Sequence, residues 1–211
     1  IDRLKLGYKA MTGGKFGDCL AHFVHIVSGL PLVVVDSQQE ANEAKELLGI
    51  CREYITAVRL EQKRKEILKA DPVRATELAA LFTHCNLQPM HLMLALQSAM
   101  MNAYKIKNLA TASSFCRRLL ELNPKPETAD KARRLLAVCD QNPTDEAKLN
   151  YDSRNPFVIC AASMTPIYKG SPNEKCGYCS ASFQPSYAGT TCTVCNIAAV
   201  GAAGGGLTVK A

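Results

Sequence analysis

Apolar residues recur at three- and four-residue intervals along most of the chain up to about residue 140, which is the period of amphipathic α-helices. The pattern predicts helices over residues 3–27, 37–69, 73–85, 89–105 and 127–140. Gly13-Gly14 breaks the first of these segments into two short helices. The fourth segment has a methionine-rich stripe, which is interpreted as core filler; it comprises Met90, Met93, Leu94, Leu96 and Met100.

Two sequence signals mark helix starts. Ser37 and Glu40 form a capping box, in which the Ser37 hydroxyl accepts from the N–H of Glu40 and the Glu40 carboxylate reaches back. Asp71-Pro72 restarts the chain, because proline is favoured at the first position of a helix. These signals place the beginnings of the second and third predicted helical segments.

Two segments have residues at the spacing of tetratricopeptide helical hairpins, in which small residues lie where two antiparallel helices touch. The first segment runs from Gly7 to Pro31. The second runs from Leu96 to Pro124 and matches less well, because Lys107 replaces a small residue. The two lie much further apart than the ~34-residue period of such repeats, so a regular array is not expected.

Residues 26–35 interrupt the helical period. They are apolar and largely β-branched with a turn signal at Ser28-Gly29, which predicts a β-hairpin insertion near residues 26–36. A buried loop is the alternative. An exposed apolar hairpin would need a partner to cover it. The candidate partner-binding residues are Ile26, Leu30, Pro31, Leu32, Val33, Val34 and Val35.

The composition changes at Asn142-Pro143, where helix-forming residues give way to turns and short apolar runs. We expect a helical, tetratricopeptide-like domain over residues 1–150 and a small β-rich, zinc-ribbon-like domain over residues 151–211. Residues 142–154 are expected to be an exposed linker, and the run 202–206 to be flexible.

Four cysteines form two C-x-x-C pairs separated by twelve residues: Cys176, Cys179, Cys192 and Cys195. Two such turns at the tips of short hairpins make a tetrahedral pocket of four sulfurs, which suits Zn²⁺. Four thiolates leave no coordination position for water, so the predicted zinc is structural. A redox-active dithiol and reduced thiols without metal are the alternatives, although the strand–helix–strand context of redox C-x-x-C motifs is missing.

The composition is that of a globular protein: 211 residues, 47% hydrophobic and 21% charged, with a net charge of +6. Six further cysteines are scattered among apolar residues, which indicates a reducing compartment without disulfides. Apolar runs long enough to span a membrane are missing. No signal segment precedes the first helical pattern, and we interpret the chain as a piece of a longer protein.

Candidate catalytic chemistry is also missing. The sequence offers no nucleophile–base–orienter set, no phosphate-binding glycine loop followed by a helix, and no open metal site, so an enzyme is not expected. His22 and His25 are interpreted as ordinary helix-surface histidines. Between residues 170 and 200 there is one lysine, no arginine and three aromatic residues, which argues against nucleic-acid binding by the knuckles.

Several strings resemble the C-terminal domain of coatomer (COPI coat) alpha subunits, and the likeness runs from about residue 6 to residue 200. They are PLVVVD at residues 31–36, ICREYI at 50–55, NPFVICAAS at 155–163 and PIYKG at 166–170. The zinc prediction rests on the cysteine spacing of this sequence and not on the resemblance.

The resemblance implies a structural coat protein of Golgi transport vesicles, acting in Golgi-to-ER and intra-Golgi transport. It implies a cytoplasmic location, with peripheral association to the Golgi membrane and vesicles only through the assembled coat. The implied partners are the epsilon subunit, a tetratricopeptide protein that encircles a protruding β-hairpin, and other coatomer subunits. That hairpin is the 26–35 segment or one from the C-terminal β region. The alternative is a nucleic-acid- or protein-binding zinc-ribbon scaffold unrelated to vesicle coats.

Overall fold

The computed structural model describes residues 2–203. It contains seven α-helices and four short strands within that range: α1 (Asp2–Thr12), α2 (Phe16–Gly29), α3 (Gln38–Ile67), α4 (Pro72–Phe82), α5 (Pro89–Lys105), α6 (Leu109–Glu121), α7 (Pro126–Cys139), β1 (Phe157–Ile159), β2 (Pro166–Tyr168), β3 (Glu174–Lys175) and β4 (Ser182–Phe183). The predicted mainly α class with a small β region is confirmed. None of the helices between residues 2 and 203 combines the length and apolar character needed to cross a bilayer.

The chain divides into two compact units, and the division differs from the predicted one. One unit combines the residues up to Arg59 with those from Ser153 onward, and the other is Leu60–Asp152. The second break lies close to the predicted boundary at residue 150. The N-terminal helices, however, group with the β region, because helix α3 makes contacts with the turns of that region that lie far apart in sequence.

Helices α1 and α2 form the predicted helical hairpin of the first unit. Gly14 connects them with φ +68°, a conformation that favours glycine. Gly7 lies directly against Phe23, so a methyl group added at Gly7 would be 2.9 Å from a ring carbon. The Phe23 ring stacks on Tyr54 of α3 at a centroid distance of 4.7 Å, which joins the hairpin to α3 through an aromatic core.

The predicted β-hairpin near residues 26–36 is wrong as secondary structure. Ile26 to Gly29 form the end of α2, Leu30–Leu32 is one turn of 3-10 helix, and the chain is then irregular up to Asp36. The strand preference of β-branched residues is overridden here by packing, since Val27 and Leu30 are buried in the core of the unit. Pro31 suits the first turn of a helix and supports the 3-10 turn.

The signals for helix starts are confirmed. The Glu40 N–H donates to the Ser37 hydroxyl (3.2 Å), while the Glu40 carboxylate accepts from the N–H of Asp36 rather than from that of Ser37. The Asp71 carboxylate accepts from the N–H of Arg74 (2.9 Å) at the start of α4, with Pro72 in the first position. Each cap satisfies a backbone donor that the helix itself leaves unpaired.

The second unit packs α4 to α7 around a small-residue core. Each of these helices contacts the next one along the chain, so α6 packs against both α5 and α7. The buried residues at its centre are Ala79, Ala80, Leu96, Ala99, Met100, Ala103, Ala112, Phe115, Cys116, Leu119, Ala132 and Cys139. Lys107, between α5 and α6, has φ +60°, which explains why a small residue is usual at this point of the hairpin.

The expected linker after α7 is tied down by hydrogen bonds up to residue 150. Asn108 exchanges two hydrogen bonds with the backbone of Ala147, both 2.8 Å long. The N–H of Leu109 donates to the carbonyl of Thr144, and the N–H of Asn150 donates to the Glu77 carboxylate. The turn-rich composition of this stretch therefore marks an ordered strap along the second unit. The expectation of flexibility for residues 202–206 falls mostly outside the described residues.

Candidate metal centre

The four predicted ligands converge. The sulfurs of Cys176, Cys179, Cys192 and Cys195 all lie within 4.8 Å of one another, and all four residues are buried. The Cys176–Cys195 and Cys179–Cys192 sulfur distances are 3.7 and 3.6 Å. A tetrahedron with zinc–sulfur bonds of about 2.3 Å has sulfur–sulfur edges of about 3.8 Å. The cluster therefore has the dimensions of a four-thiolate zinc site, and its sulfurs are too far apart for disulfides.

Two turns of the same construction present these thiols. In the first, the N–H of Ser180 donates to the carbonyl of Cys176 (3.0 Å), and Ser180 has φ +57°. In the second, the N–H of Asn196 donates to the carbonyl of Cys192 (2.9 Å), and Asn196 has φ +56°. The left-handed residue directly after each C-x-x-C closes the turn, so that both thiols of a pair point to the same place.

The two turns are carried by adjacent hairpins. β3 and β4 pair antiparallel around the first turn, with Glu174 opposite Phe183. Thr191 pairs with Ala199 around the second turn, and Cys176 pairs with Val200 between the hairpins. This arrangement of two paired knuckles is that of a zinc ribbon.

A third turn of the same construction was not found by sequence reasoning. In the turn between β1 and β2, the N–H of Met164 donates to the carbonyl of Cys160 (2.9 Å), and Met164 has φ +56°. Ser163 occupies the position of the second thiol. The signal was present in the sequence, since Cys160, Cys176 and Cys192 follow one another at intervals of sixteen residues. The β region is thus a triple repeat of one hairpin, with thiol pairs only in the second and third copies.

Helix α3 holds both thiol-bearing turns through two arginines seven residues apart, and therefore on one face of the helix. Arg52 donates to the carbonyl of Cys179 (3.3 Å), and Arg59 donates to the carbonyl of Thr193. The Tyr178 hydroxyl, inside the first knuckle, donates to the carbonyl of Val27 in α2 (2.8 Å). Sequence reasoning missed these three residues because their partners lie more than 100 residues away in the chain.

Hydrogen bonds among the four thiols move the pKa values of two of them in opposite directions. Hydrogen bonding to the sulfur of Cys192, together with burial, raises the pKa of the Cys179 thiol well above its usual value, whereas hydrogen bonding from Cys179 lowers the pKa of the Cys195 thiol. Burial, with the neighbouring thiolates, also raises the pKa of Tyr178 to about 12. Zn²⁺ would remove the cost of several thiolates in one pocket, and the complex would carry a net charge of roughly −2. Arg59 places compensating positive charge beside it, whereas the Arg52 guanidinium is already paired with Glu53 (3.0 Å).

The geometry of the four thiols suits a structural metal site and not a catalytic one. With four buried thiol ligands, a metal ion here would have a complete coordination sphere and no position for water or substrate. Of the three aromatic residues near the knuckles, Phe183 is fully buried and the Tyr178 hydroxyl is engaged by Val27. The Phe183 ring is therefore not available as a stacking platform for bases.

The predicted partner-binding residues divide into two groups. Pro31, Leu32, Val33 and Val34 are exposed, and Leu32 and Val34 each expose 84% of their surface. Ile26 and Val35 are partly buried, and Leu30 belongs to the chain's own core. We call the exposed segment 31–34 the apolar arm. Isolated large apolar side chains are common on surfaces, but three consecutive exposed ones, Leu32 to Val34, are not.

These features define a mainly α protein with tetratricopeptide-like helical hairpins and a zinc-ribbon-like β region. The chain belongs to the family formed by the C-terminus of the coatomer (COPI) alpha subunit, and the model of that family matches residues 1–211. The resemblance drawn from the sequence strings is thereby confirmed.

Curated relatives agree with this assignment. The chain is similar to coatomer subunit alpha-1 of Arabidopsis thaliana, with 52% identity over 206 residues, and to coatomer subunit alpha of Dictyostelium discoideum, with 50% over 209 residues. It is also similar to coatomer subunit alpha of Saccharomyces cerevisiae, with 31% identity over 172 residues. These matches cover 98%, 95% and 82% of the chain but only 17%, 17% and 14% of the relatives, so the chain spans a small part of their length.

Proposed function

We propose that the chain is a structural, non-enzymatic part of a COPI coat subunit, and that it docks the epsilon subunit through the apolar arm. The observation that carries the proposal is the exposure of Leu32 and Val34 in a chain that belongs to the alpha-subunit family. Through that assembly it would serve Golgi-to-ER and intra-Golgi transport with other coatomer subunits. Its place would be the cytosolic face of Golgi membranes and vesicles, held there peripherally by the coat.

The arm has the physical properties of a docking segment. It leaves the 3-10 turn at Leu32 and is irregular from Val33 to Asp36, so it can adopt the backbone that a partner requires. Its apolar side chains contribute little to the core of the isolated chain because they are exposed. Covering a Val or Leu side chain contributes roughly 1.5–3 kcal/mol, so two or three of them can provide most of the energy of a specific contact.

The test is the double substitution Leu32→Asp with Val34→Asp. We expect loss of binding to the purified epsilon subunit and a thermal melting temperature close to that of the unchanged chain, because exposed residues contribute little to folding. Isothermal calorimetry and a circular dichroism melt on the same samples measure both. Leu6→Asp, at an exposed apolar position of α1, is the matched control and should bind normally. Unchanged binding by the double variant would reject the arm as the contact.

The β1–β2 hairpin is a second candidate for the same contact. It is an actual antiparallel hairpin, with Val158 opposite Ile167, and Val158 exposes 44% of its surface. Val158→Asp in the same calorimetric assay separates the two: loss of epsilon binding in this variant alone would move the docking site from the arm to the hairpin.

We also propose that Cys176, Cys179, Cys192 and Cys195 hold one structural Zn²⁺. The support is the set of sulfur distances, which match a zinc tetrahedron, together with the two knuckle turns. Such sites tie local folding to metal binding, because the unfolded chain has no preformed pocket. The metal would hold the two hairpins together where the short strands alone provide few hydrogen bonds.

Metal analysis of the purified chain tests the zinc proposal. We expect about one equivalent of zinc, lost in Cys192→Ser together with the order of residues 170–200, as followed by amide NMR signals. Cys160→Ser is the matched control, since Cys160 is equally buried but lies in the turn without a thiol pair. It should retain the metal. The proposal would be contradicted if the folded chain without substitutions contained no metal and its four thiols titrated freely.

A further inference from the structure

We propose that a groove between helices α5 and α7 of the second unit binds an acidic amphipathic helix of a partner protein. The groove has a volume of about 500 Å³ and is lined by Gln97, Met100, Met101, Lys131, Arg134, Leu135 and Val138. This is within the range of ~300–1,000 Å³ typical of ligand sites in proteins. The site lies in a different compact unit from the apolar arm and from the cysteine cluster.

The interpretation of the methionine-rich stripe of α5 as core filler holds for only part of it. Leu96 and Met100 are buried, but Met90 and Leu94 are exposed. Together with Met101 and Tyr104, which are also exposed, these residues follow one another at intervals of four, seven and three residues along one face of the helix. The exposed stripe therefore runs for about 21 Å, the length of roughly four helical turns.

The floor of the groove comes from α5 and its far wall from α7. Met100 lies under the groove with its sulfur 3.8 Å from that of Cys116 in α6. Leu135 and Val138 of α7 form the opposite wall, and Val138 is about as exposed as Met101. Apolar side chains on both sides, and flexible methionines among them, suit an occupant whose own apolar residues fill the space between two helices.

The positive charge at the edge of the groove indicates that its occupant is acidic. On α7, Lys131 is paired with Glu127 (2.6 Å) and Arg133 with Asp130 (3.0 Å). Arg134, at the edge of the groove, makes no ion pair with any residue between 2 and 203. An acidic side chain beside the apolar face of the occupant would pair with this guanidinium, whereas a basic one would be repelled.

The geometry favours a helical occupant over an extended one. Only helix side chains line the groove, so no strand edge is available for backbone pairing. The exposed stripe of α5 runs for four turns, and the groove against α7 lies along part of it, from Lys131 to Val138. A partner helix with apolar residues at positions i, i+4, i+7 and i+11 would match this stripe. A partner helix of about 14 residues would cover the stripe from end to end.

A designed peptide pair tests the proposal on the whole 211-residue chain. The probe is a fluorescent, hydrocarbon-stapled helix of about 14 residues with Leu at the four anchor positions and Glu beside them; its isomer has Lys in place of each Glu. We expect fluorescence anisotropy to show binding of the acidic helix at least about tenfold tighter than that of the basic one. Arg134→Glu should invert this preference, and Met101→Asp should abolish binding of both helices.

Arg133→Glu is the matched control, because Arg133 is the neighbouring residue but is paired with Asp130 and does not line the groove. It should bind like the unchanged chain, and circular dichroism should show the same helix content for all variants. Absence of binding, or equal affinity for the two peptides, would overturn the proposal. So would self-association of the chain that Met101→Asp abolishes in sedimentation experiments, because the occupant would then be a second copy.

Discussion

Gly7 shows how a single residue sets the distance between two helices. Its lack of a side chain lets α1 approach the ring of Phe23, which is fully buried and stacks on Tyr54. A methyl group at Gly7 would lie 2.9 Å from that ring, closer than van der Waals contact allows. Because the ring is fixed on its other side, it cannot move away without disturbing the aromatic core.

We therefore expect Gly7→Ala to destabilise the chain, although alanine is intrinsically the better helix former by about 1 kcal/mol. Overpacking a core costs ~1–3 kcal/mol, which outweighs that gain. Gly17→Ala in α2 and Gly49→Ala in α3 are matched controls, since nothing lies within 4 Å of a methyl group at either position. Both should stabilise. Urea denaturation measures all three, and a stabilised Gly7→Ala would show that the hairpin can widen.

At the scale of elements, local signals were sufficient for the helices. The caps at Ser37 and Asp71 and the break at Gly14 each act within four residues, so the sequence alone locates these helix boundaries. The end of α2 is not predicted correctly from the sequence, because a non-local interaction determines it. Its β-branched residues prefer strands locally, and only the tertiary packing of Val27 and Leu30 makes the segment helical.

The residues of the metal centre also fall into two groups, those that the sequence predicts and those that only the tertiary structure reveals. The ligands follow from the spacing of the two C-x-x-C pairs, which is a local property. Arg52 and Arg59 could not be found from sequence, because each looks like any other charged residue of an amphipathic helix. Their role depends on carbonyls 127 and 134 residues further along the chain. The triple hairpin repeat lies between these two cases. The sequence contains its signal, a sixteen-residue interval between cysteines, but the interval shows a repeat only when Cys160 is included.

At the scale of the whole molecule, the second unit is an insertion in the first. Residues 60–152 form a unit that is continuous in sequence, whereas the first unit must bring together segments on either side of that insertion. Ordering such a long connection is entropically costly, and contacts that close it need compensating stability. The hydrogen bonds of Tyr178, Arg52 and Arg59 link the two segments within the first unit, and all of them involve the knuckle turns.

This topology leads to a prediction about metal removal. A high-affinity zinc chelator should loosen not only the knuckles but also α1 and α2, because the Tyr178 hydroxyl anchors α2 only while the first knuckle is ordered. Hydrogen exchange followed by mass spectrometry should show exchange at least about tenfold faster in peptides covering residues 2–29 and 170–200. Peptides of α5 and α6 should keep their protection, since their core lies within the second unit.

Adding back zinc should restore the original exchange, and Tyr178→Phe should loosen α2 while the zinc content stays at one equivalent. Faster exchange confined to the knuckles would show that α1 and α2 are held by their own packing, and equal loosening of both units would show that the metal supports the whole chain.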